Sequence, residues 1–98
     1  MTYQCIRTYR FNRGALGSVK DSAMRDLLPD LERQAGFLGF RLITTADDRA
    51  VSESIWETYE QAQFADVVEA AWVRQTISDR LDGLPDLFIG PIEVFVQI

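Results

Sequence analysis

Whatever chemistry this chain performs, it performs without histidine. Its 98 residues include no histidine, one cysteine (Cys5) and 10 lysines and arginines against 15 acids. The missing histidine removes His-based general acid–base catalysis, nucleophile–His pairs, most transition-metal sites and His-ligated haem. A single cysteine closes no internal disulfide and builds no thiolate cluster. Asp47-Asp48 brings too few oxygen ligands for a calcium loop, so no metal site is expected. No P-loop, GxGxxG or CxxC pattern occurs. The side chains left to act are arginines, tyrosines and hydroxyls, each with an ordinary structural job as the competing reading. Arg7 and Arg41 suit solvation or pairing across a sheet edge. Tyr3, Tyr9 and Tyr59 suit packing, and Trp56 suits a core or an interface. Asn12 suits a turn.

The elements that position these residues are readable in order. Ninety-eight residues make one domain, spanning 1–98. Tyr3 to Phe11 alternates as a strand, although neither face is purely apolar. Asn12 to Gly17 is a loop. Ser18 is expected to cap a helix whose stripe runs Val19, Ala23, Leu27, Leu31 and Ala35, with Met24 and Leu28 beside it. Pro29 inside that pattern predicts a kink or a break near Leu28. Gly36 can take the positive φ that stops a helix. Phe40–Thr45 and Val51–Trp56 then read as a hairpin turning at Asp47-Asp48-Arg49.

Thr58-Tyr59-Glu60-Gln61 fits a capping box opening a second helix. Its stripe is Ala62, Ala65, Val68, Ala71 and Trp72, and it continues after a bend through Ile77 to Leu81. Asp82-Gly83-Leu84-Pro85 ends it. Ile92, Val94, Val96 and Ile98 predict a last strand with one apolar face. The order βαββαβ gives an α+β, ferredoxin-like sandwich: a four-stranded antiparallel sheet with both helices on one face.

The other sheet face needs a cover. Trp56 with Ser52 and Ser54, and Phe95 between Glu93 and Gln97, are expected there. That face is more apolar than a monomer usually tolerates. A second copy related by a two-fold axis is the simplest cover, burying upwards of ~1,000 Å² and enclosing a barrel-like cavity. The partners expected are therefore a homodimer mate and a small hydrophobic or aromatic ligand. A net charge of −5 with scattered arginines argues against nucleic acid. No apolar run approaches the ~20 residues of a membrane span, and no signal-peptide pattern is seen, so a cytoplasmic location is the expectation.

The segments Ala35-Gly36-Phe37-Leu38-Gly39-Phe40, Ala46-Asp47-Asp48 and Ile55-Trp56-Glu57-Thr58, with Ala71-Trp72-Val73 and a strand after Gly90, resemble the antibiotic biosynthesis monooxygenase domain of the dimeric α/β-barrel superfamily. The resemblance covers nearly the whole chain. It implies a homodimer with a pocket in each protomer, lying between helices and sheet or opening into the barrel. Some such proteins oxidise aromatic polyketides with molecular oxygen and no cofactor, the substrate anion supplying the electrons. Others degrade haem with an axial histidine on the second helix, which this chain lacks. By this resemblance Arg7 or Arg41 would hold an enolate or phenolate oxygen, and Tyr9 or Asn12 would donate a hydrogen bond. Trp56, Ser54 and Phe95 would bind substrate, and no cofactor is called for. The alternative is a non-catalytic homodimer that binds a small ligand or serves a structural role.

Overall fold

The computed structural model describes residues 1–97. The first strand, β1 (Tyr3–Arg10), keeps its alternation, and its odd-numbered side chains Cys5, Arg7 and Tyr9 are the buried ones. The helix after it starts earlier than a Ser18 cap would set. The Ala15 N–H bonds to the Asn12 carbonyl at 3.1 Å, and this turn runs straight into α1 (Leu16–Ser22). Ser18 lies inside the first turn and donates back to the Ala15 carbonyl.

Buried apolar residues of this helical arm recur at every fourth position: Val19, Ala23, Leu27 and Leu31, with Ser22 buried beside them. On an α-helix each such step drifts about 40° around the axis. A π-helical turn, Ala23–Leu27, takes up the drift and keeps one stripe on the sheet before α2 (Leu28–Glu32) resumes. Pro29 falls in the first turn of α2, where a missing N–H costs least. The expected break near Leu28 thus takes the form of a change in helical pitch. Met24 and Ala35 lie exposed, outside the stripe.

The hairpin forms as β2 (Phe37–Thr44) and β3 (Arg49–Trp56), with Asp48 at φ 63° in its turn. Gly36 adopts φ 82°, and a Cβ there would overlap the Gln61 side chain. Gln61 is occupied, because it completes the Thr58 capping box at the head of α3 (Tyr59–Trp72). Beyond α3 a second π-helical turn, Val73–Ile77, and a 3₁₀ turn, Ser78–Arg80, supply the expected bend.

The last strand is displaced from its expected place. β4 is Asp86–Pro91, antiparallel to β1, with Cys5 opposite Ile89 and Thr8 opposite Asp86. After it, one bond from Ile92 N–H to the Thr2 carbonyl continues the pairing, and Val94, Phe95 and Val96 are exposed. Ile98 lies outside the described residues. Residues 86–91 win because Leu81 and Asp82 already bond the far end of β1 at Phe11 and Arg10, so the first extended residues after the Gly83 turn (φ 98°) run back along Thr8 to Tyr3.

The sheet order is β2-β3-β1-β4, all antiparallel, with both helical arms on one face. This is the α+β, ferredoxin-like βαββαβ arrangement. One face assignment is corrected. Ala50, Ser52, Ser54 and Trp56 of β3 point under the helices and are buried. Arg49, Val51, Glu53 and Ile55 occupy the open face. Phe40 and Leu42 pair with Ser54 and Ser52, so they too lie on the helix side, while Arg41 and Ile43 lie on the open one. The open face therefore carries Ile6, Ile43, Val51, Ile55 and Phe88, and the enclosed layer carries serines, an arginine and a glutamate.

Candidate functional site

The enclosed layer between sheet and helices holds the polar groups most able to act on a ligand. Pairing aligns Arg7 of β1 with Ser52 of β3, and Cys5 with Ser54, so these side chains form adjacent rungs on the helix side. Above them, Ala62, Ala65, Glu69 and Trp72 share one buried face of α3. The two alanines let the helix approach closely, and Glu69 descends between them and the tryptophan.

Glu69 is 3 % exposed. Its Oε2 accepts from the Tyr9 hydroxyl and from Ser52 Oγ, the latter at 2.6 Å. Arg7 Nε lies 3.6 Å from the same oxygen. The far end of the Arg7 guanidinium donates to the Asp66 carboxylate and, at 3.3 Å, to the Asp66 carbonyl. Arg7 Nε is buried and has no hydrogen-bond partner among the described residues. A buried donor without an acceptor is uncommon and costly, and it calls for an explanation. Here it faces the layer in which Glu69 and Tyr9 converge.

Two titratable neighbours are held neutral. Burial pushes the Tyr9 phenol upward from its ordinary range, and the negative charge of Glu69 adds to the effect, so Tyr9 remains a donor. Burial likewise raises the Cys5 thiol to about 11, with Glu69 adding and Arg7 and Ser54 opposing. A thiol that reluctant to ionise is packing, not a nucleophile.

The residues expected from sequence divide cleanly. Arg7 and Tyr9 meet at Glu69. Ser54 and Trp56 lie along the same layer: Trp56 is fully buried, donates from Nε1 to Ser54 Oγ at 2.8 Å and packs edge-on against Phe37. Arg41 is not brought in. It sits on the open face, paired with Glu53 at 2.8 Å, because β2 pairs Arg41 directly with Glu53. Asn12 is at the surface, tying its amide to the Asp79 carbonyl at 3.2 Å. Phe95 lies in the extended segment past β4, 70 % exposed, so it shares no wall with Trp56 within one chain. Sequence reading missed Glu69, Asp66, Ser52 as a ligand of Glu69, and Ser22, which accepts from Trp72 Nε1 at 3.3 Å. The available signal was the 3-4-3 spacing of Ala62, Ala65, Glu69 and Trp72, which puts the acid on the buried stripe.

A void of about 10 Å³ lies in this layer, bordered by Tyr9, Phe40, Leu42, Ser52, Glu69 and Trp72. It has room for about one water molecule. No helix among the described residues is long and apolar enough to cross a membrane.

No family model matches the chain, and no curated protein matches its sequence. Solved structures do match its fold along nearly its full length. A Nitrosomonas europaea protein provisionally named an antibiotic biosynthesis monooxygenase superposes with a TM-score of 0.78 at 17 % identity, over 94 % of this chain and 90 % of that one. SnoaB, a cofactor-independent oxygenase from Streptomyces nogalater, gives 0.78 at 12 % identity in a mutant form, over 97 % and 96 %. The monooxygenase from the ActVA-Orf6 gene of Streptomyces coelicolor, in complex with nanaomycin D, gives 0.74 at 19 % identity, over 98 % and 92 %. The chain thus has the fold of the antibiotic biosynthesis monooxygenase structures.

The buried thiol makes stability depend on alkaline pH. The unfolded chain releases the Cys5 proton near 9 and the folded chain only near 11. In that window the unfolded state binds fewer protons, so stability falls as pH rises, by about 2–3 kcal/mol from this group. Urea unfolding followed across the window is expected to show that decline, and Cys5→Ala to remove it below pH 10, leaving above that only the fall contributed by the raised Tyr9 phenol. An equal slope in both proteins would refute the assignment.

Proposed function

We propose that this protein is a cofactor-independent monooxygenase of small, electron-rich aromatic compounds, and that its reaction takes place in the helix-side layer around Arg7, Tyr9 and Glu69. The observation that carries the reading is the unpartnered Arg7 Nε, buried 3.6 Å from Glu69 Oε2 in a fold shared with a named cofactor-independent oxygenase.

The division of labour follows from the geometry. Tyr9, Ser52 and Arg7 all address Oε2 of Glu69, which fixes the carboxylate and leaves Oε1 for a ligand proton. An anthrone-type substrate offers an acidic CH2 across its central ring from a carbonyl, conjugated with it through the flanking rings. Glu69 takes one proton from it, and the resulting enolate oxygen lies against Arg7 Nε–H, a preorganised donor in a dry site. The enolate passes an electron to O2. Recombination forms a C–O bond, and return of the proton from Glu69 gives a hydroperoxide. Loss of the second C–H proton with hydroxide breaks the O–O bond, leaving a ketone and water. One oxygen atom enters the product and one enters water, and the substrate supplies all four electrons. The alternative is a non-catalytic homodimer that binds a small ligand or serves a structural role, and the void of only about 10 Å³ favours the structural form of it.

Oxygen uptake by metal-free protein with an anthrone tests the two. Uptake is expected in the wild type, with kcat/KM falling about 100-fold in Glu69→Gln and in Arg7→Gln and holding in Arg41→Gln. Binding without uptake would leave the module, and uptake indifferent to both inner substitutions would place the chemistry elsewhere.

The proposal extends to assembly. Ile6, Ile43 and Phe88 crowd the open face, Ile43 at 49 % and Phe88 at 68 % exposure, and a second copy would cover them. Arg10 and Arg49 with Asp86 and Glu53 give that face both signs of charge for self-pairing. Sedimentation is expected to report twice the 11.2 kDa chain, and Phe88→Asp to reduce it to one. A lone chain in the wild type at micromolar concentration would overturn the homodimer.

A further inference from the structure

The inner void is too small for an aromatic ring, yet a groove of about 490 Å³ lies just outside it, between the two helical arms. That volume falls in the range of small-molecule sites. Asp26 and Asp30 border it on one arm, and Val67, Val68 and Ala71 on the other. Trp72 borders both spaces, so its indole is the partition between them.

The partition is latched from the opposite arm. Trp72 Nε1–H donates to Ser22 Oγ at 3.3 Å, and Ser22 in turn donates to Asp26 Oδ2 at 3.4 Å. Both ends of the latch sit where the helix changes pitch. Ser22 is the last residue of α1 and is followed by the π turn Ala23–Leu27. Trp72 is the last residue of α3 and is followed by the π turn Val73–Ile77. Turns of this kind are rare and concentrate at functional sites. Two of them flank one long hydrogen bond, and the indole itself is only 7 % exposed.

We propose that Trp72 is a door: an uncharged, planar aromatic ligand settles in the groove between the arms and reaches Arg7 and Glu69 when the indole releases Ser22. The proposal rests on the reading that the Arg7–Tyr9–Glu69 layer is the ligand site. The ligand class follows from the groove. Val67, Val68 and Ala71 face a flat ring, Gln75 and Thr76 border it with polar groups, and the lining holds no cation to receive an anion, since Arg25 and Arg33, which pair with Asp26 and Asp30, lie outside it. Ionisation therefore follows uptake.

The test uses 1,8-dihydroxyanthraquinone, which is already oxidised and so reports uptake independently of turnover, beside a sulfonated analogue that carries a permanent negative charge. Stopped-flow quenching of tryptophan fluorescence gives the association rate in wild type and Ser22→Ala, and the probe's own absorbance change gives it in Trp72→Ala. The neutral probe is expected to associate about 10-fold faster in Trp72→Ala and several-fold faster in Ser22→Ala, with Glu69→Gln weakening affinity but leaving the association rate unchanged. The sulfonated probe is expected to bind at least 10-fold more weakly than the neutral one. Should Trp72→Ala lose its fold by circular dichroism, Trp72→Phe, which keeps the ring and loses the donor, stands in and follows Ser22→Ala. Wild-type association rates in folded door variants, equal binding of the two probes, or no binding of the neutral probe would each overturn the door. A working door with no oxygen uptake from an anthrone would instead overturn the oxygenase reading alone.

Discussion

A guanidinium and a carboxylate share the dry layer between sheet and helices, and the rest of the fold is arranged to make that tolerable. Isolated ions of this kind cost several kcal/mol each to desolvate. Arg7 is compensated by Asp66 and Glu69 from successive turns of α3, and Glu69 by Tyr9 and Ser52 from the two central strands. The compensation needs α3 pressed close to the sheet, which Ala62 and Ala65 permit. It also needs β1 and β3 in the register that puts Arg7 opposite Ser52. The capping box at Thr58, against which Gly36 is packed, fixes where α3 begins and hence where Glu69 lands. A buried ion pair is a poor investment for stability alone, so its presence with one donor left over argues for a task.

The distribution of polarity runs the same way. The enclosed layer sets five buried polar residues, Ser22, Ser52, Ser54, Arg7 and Glu69, within the apolar core, while the open sheet face mixes isoleucines, a valine and Phe88 with arginines and acids. Phe37, Trp56, Leu27, Leu31 and Ile77 supply the apolar frame that keeps the inner polar groups in low dielectric, where an oriented donor acts strongly on developing charge.

The burial of these polar groups explains what could and could not be read from the sequence. The capping box, the hairpin turn, the helix stripe at Val19, Ala23, Leu27 and Leu31 and the βαββαβ order are local patterns, and local physics makes them legible. The face of each strand is not local. Alternation tells which residues share a side, but the choice of side assumed that Ser52 and Ser54 belong with solvent or a cavity between subunits, whereas Glu69 supplies the partner of Ser52 from seventeen residues away and the Trp56 indole that of Ser54. Glu69 itself looked like a solvated helix acid, because nothing in its neighbourhood names Tyr9 and Ser52. The last strand is displaced for the same reason: residues 92–98 alternate and residues 86–91 do not, and the anchoring of Leu81 and Asp82 on the far end of β1 decides between them. Arg7 and Tyr9 meet at Glu69 because they lie on one face of one strand. Asn12 and Arg41, drawn in by residue type alone, belong to a loop and to the other face.

The most direct measurement is the nitrogen spectrum of the arginine side chains during ligand titration. Arg7 Nε–H, buried and unpartnered, should give a slowly exchanging resonance, identified by its loss in Arg7→Lys. On addition of 1,8-dihydroxyanthraquinone it is expected to shift more than that of any other arginine, as the ring oxygen becomes its acceptor. If the resonances that move are those of Arg10, Arg41 and Arg49 on the open face, while that of Arg7 stays fixed, the ligand binds on the wrong side of the sheet for everything argued from Glu69.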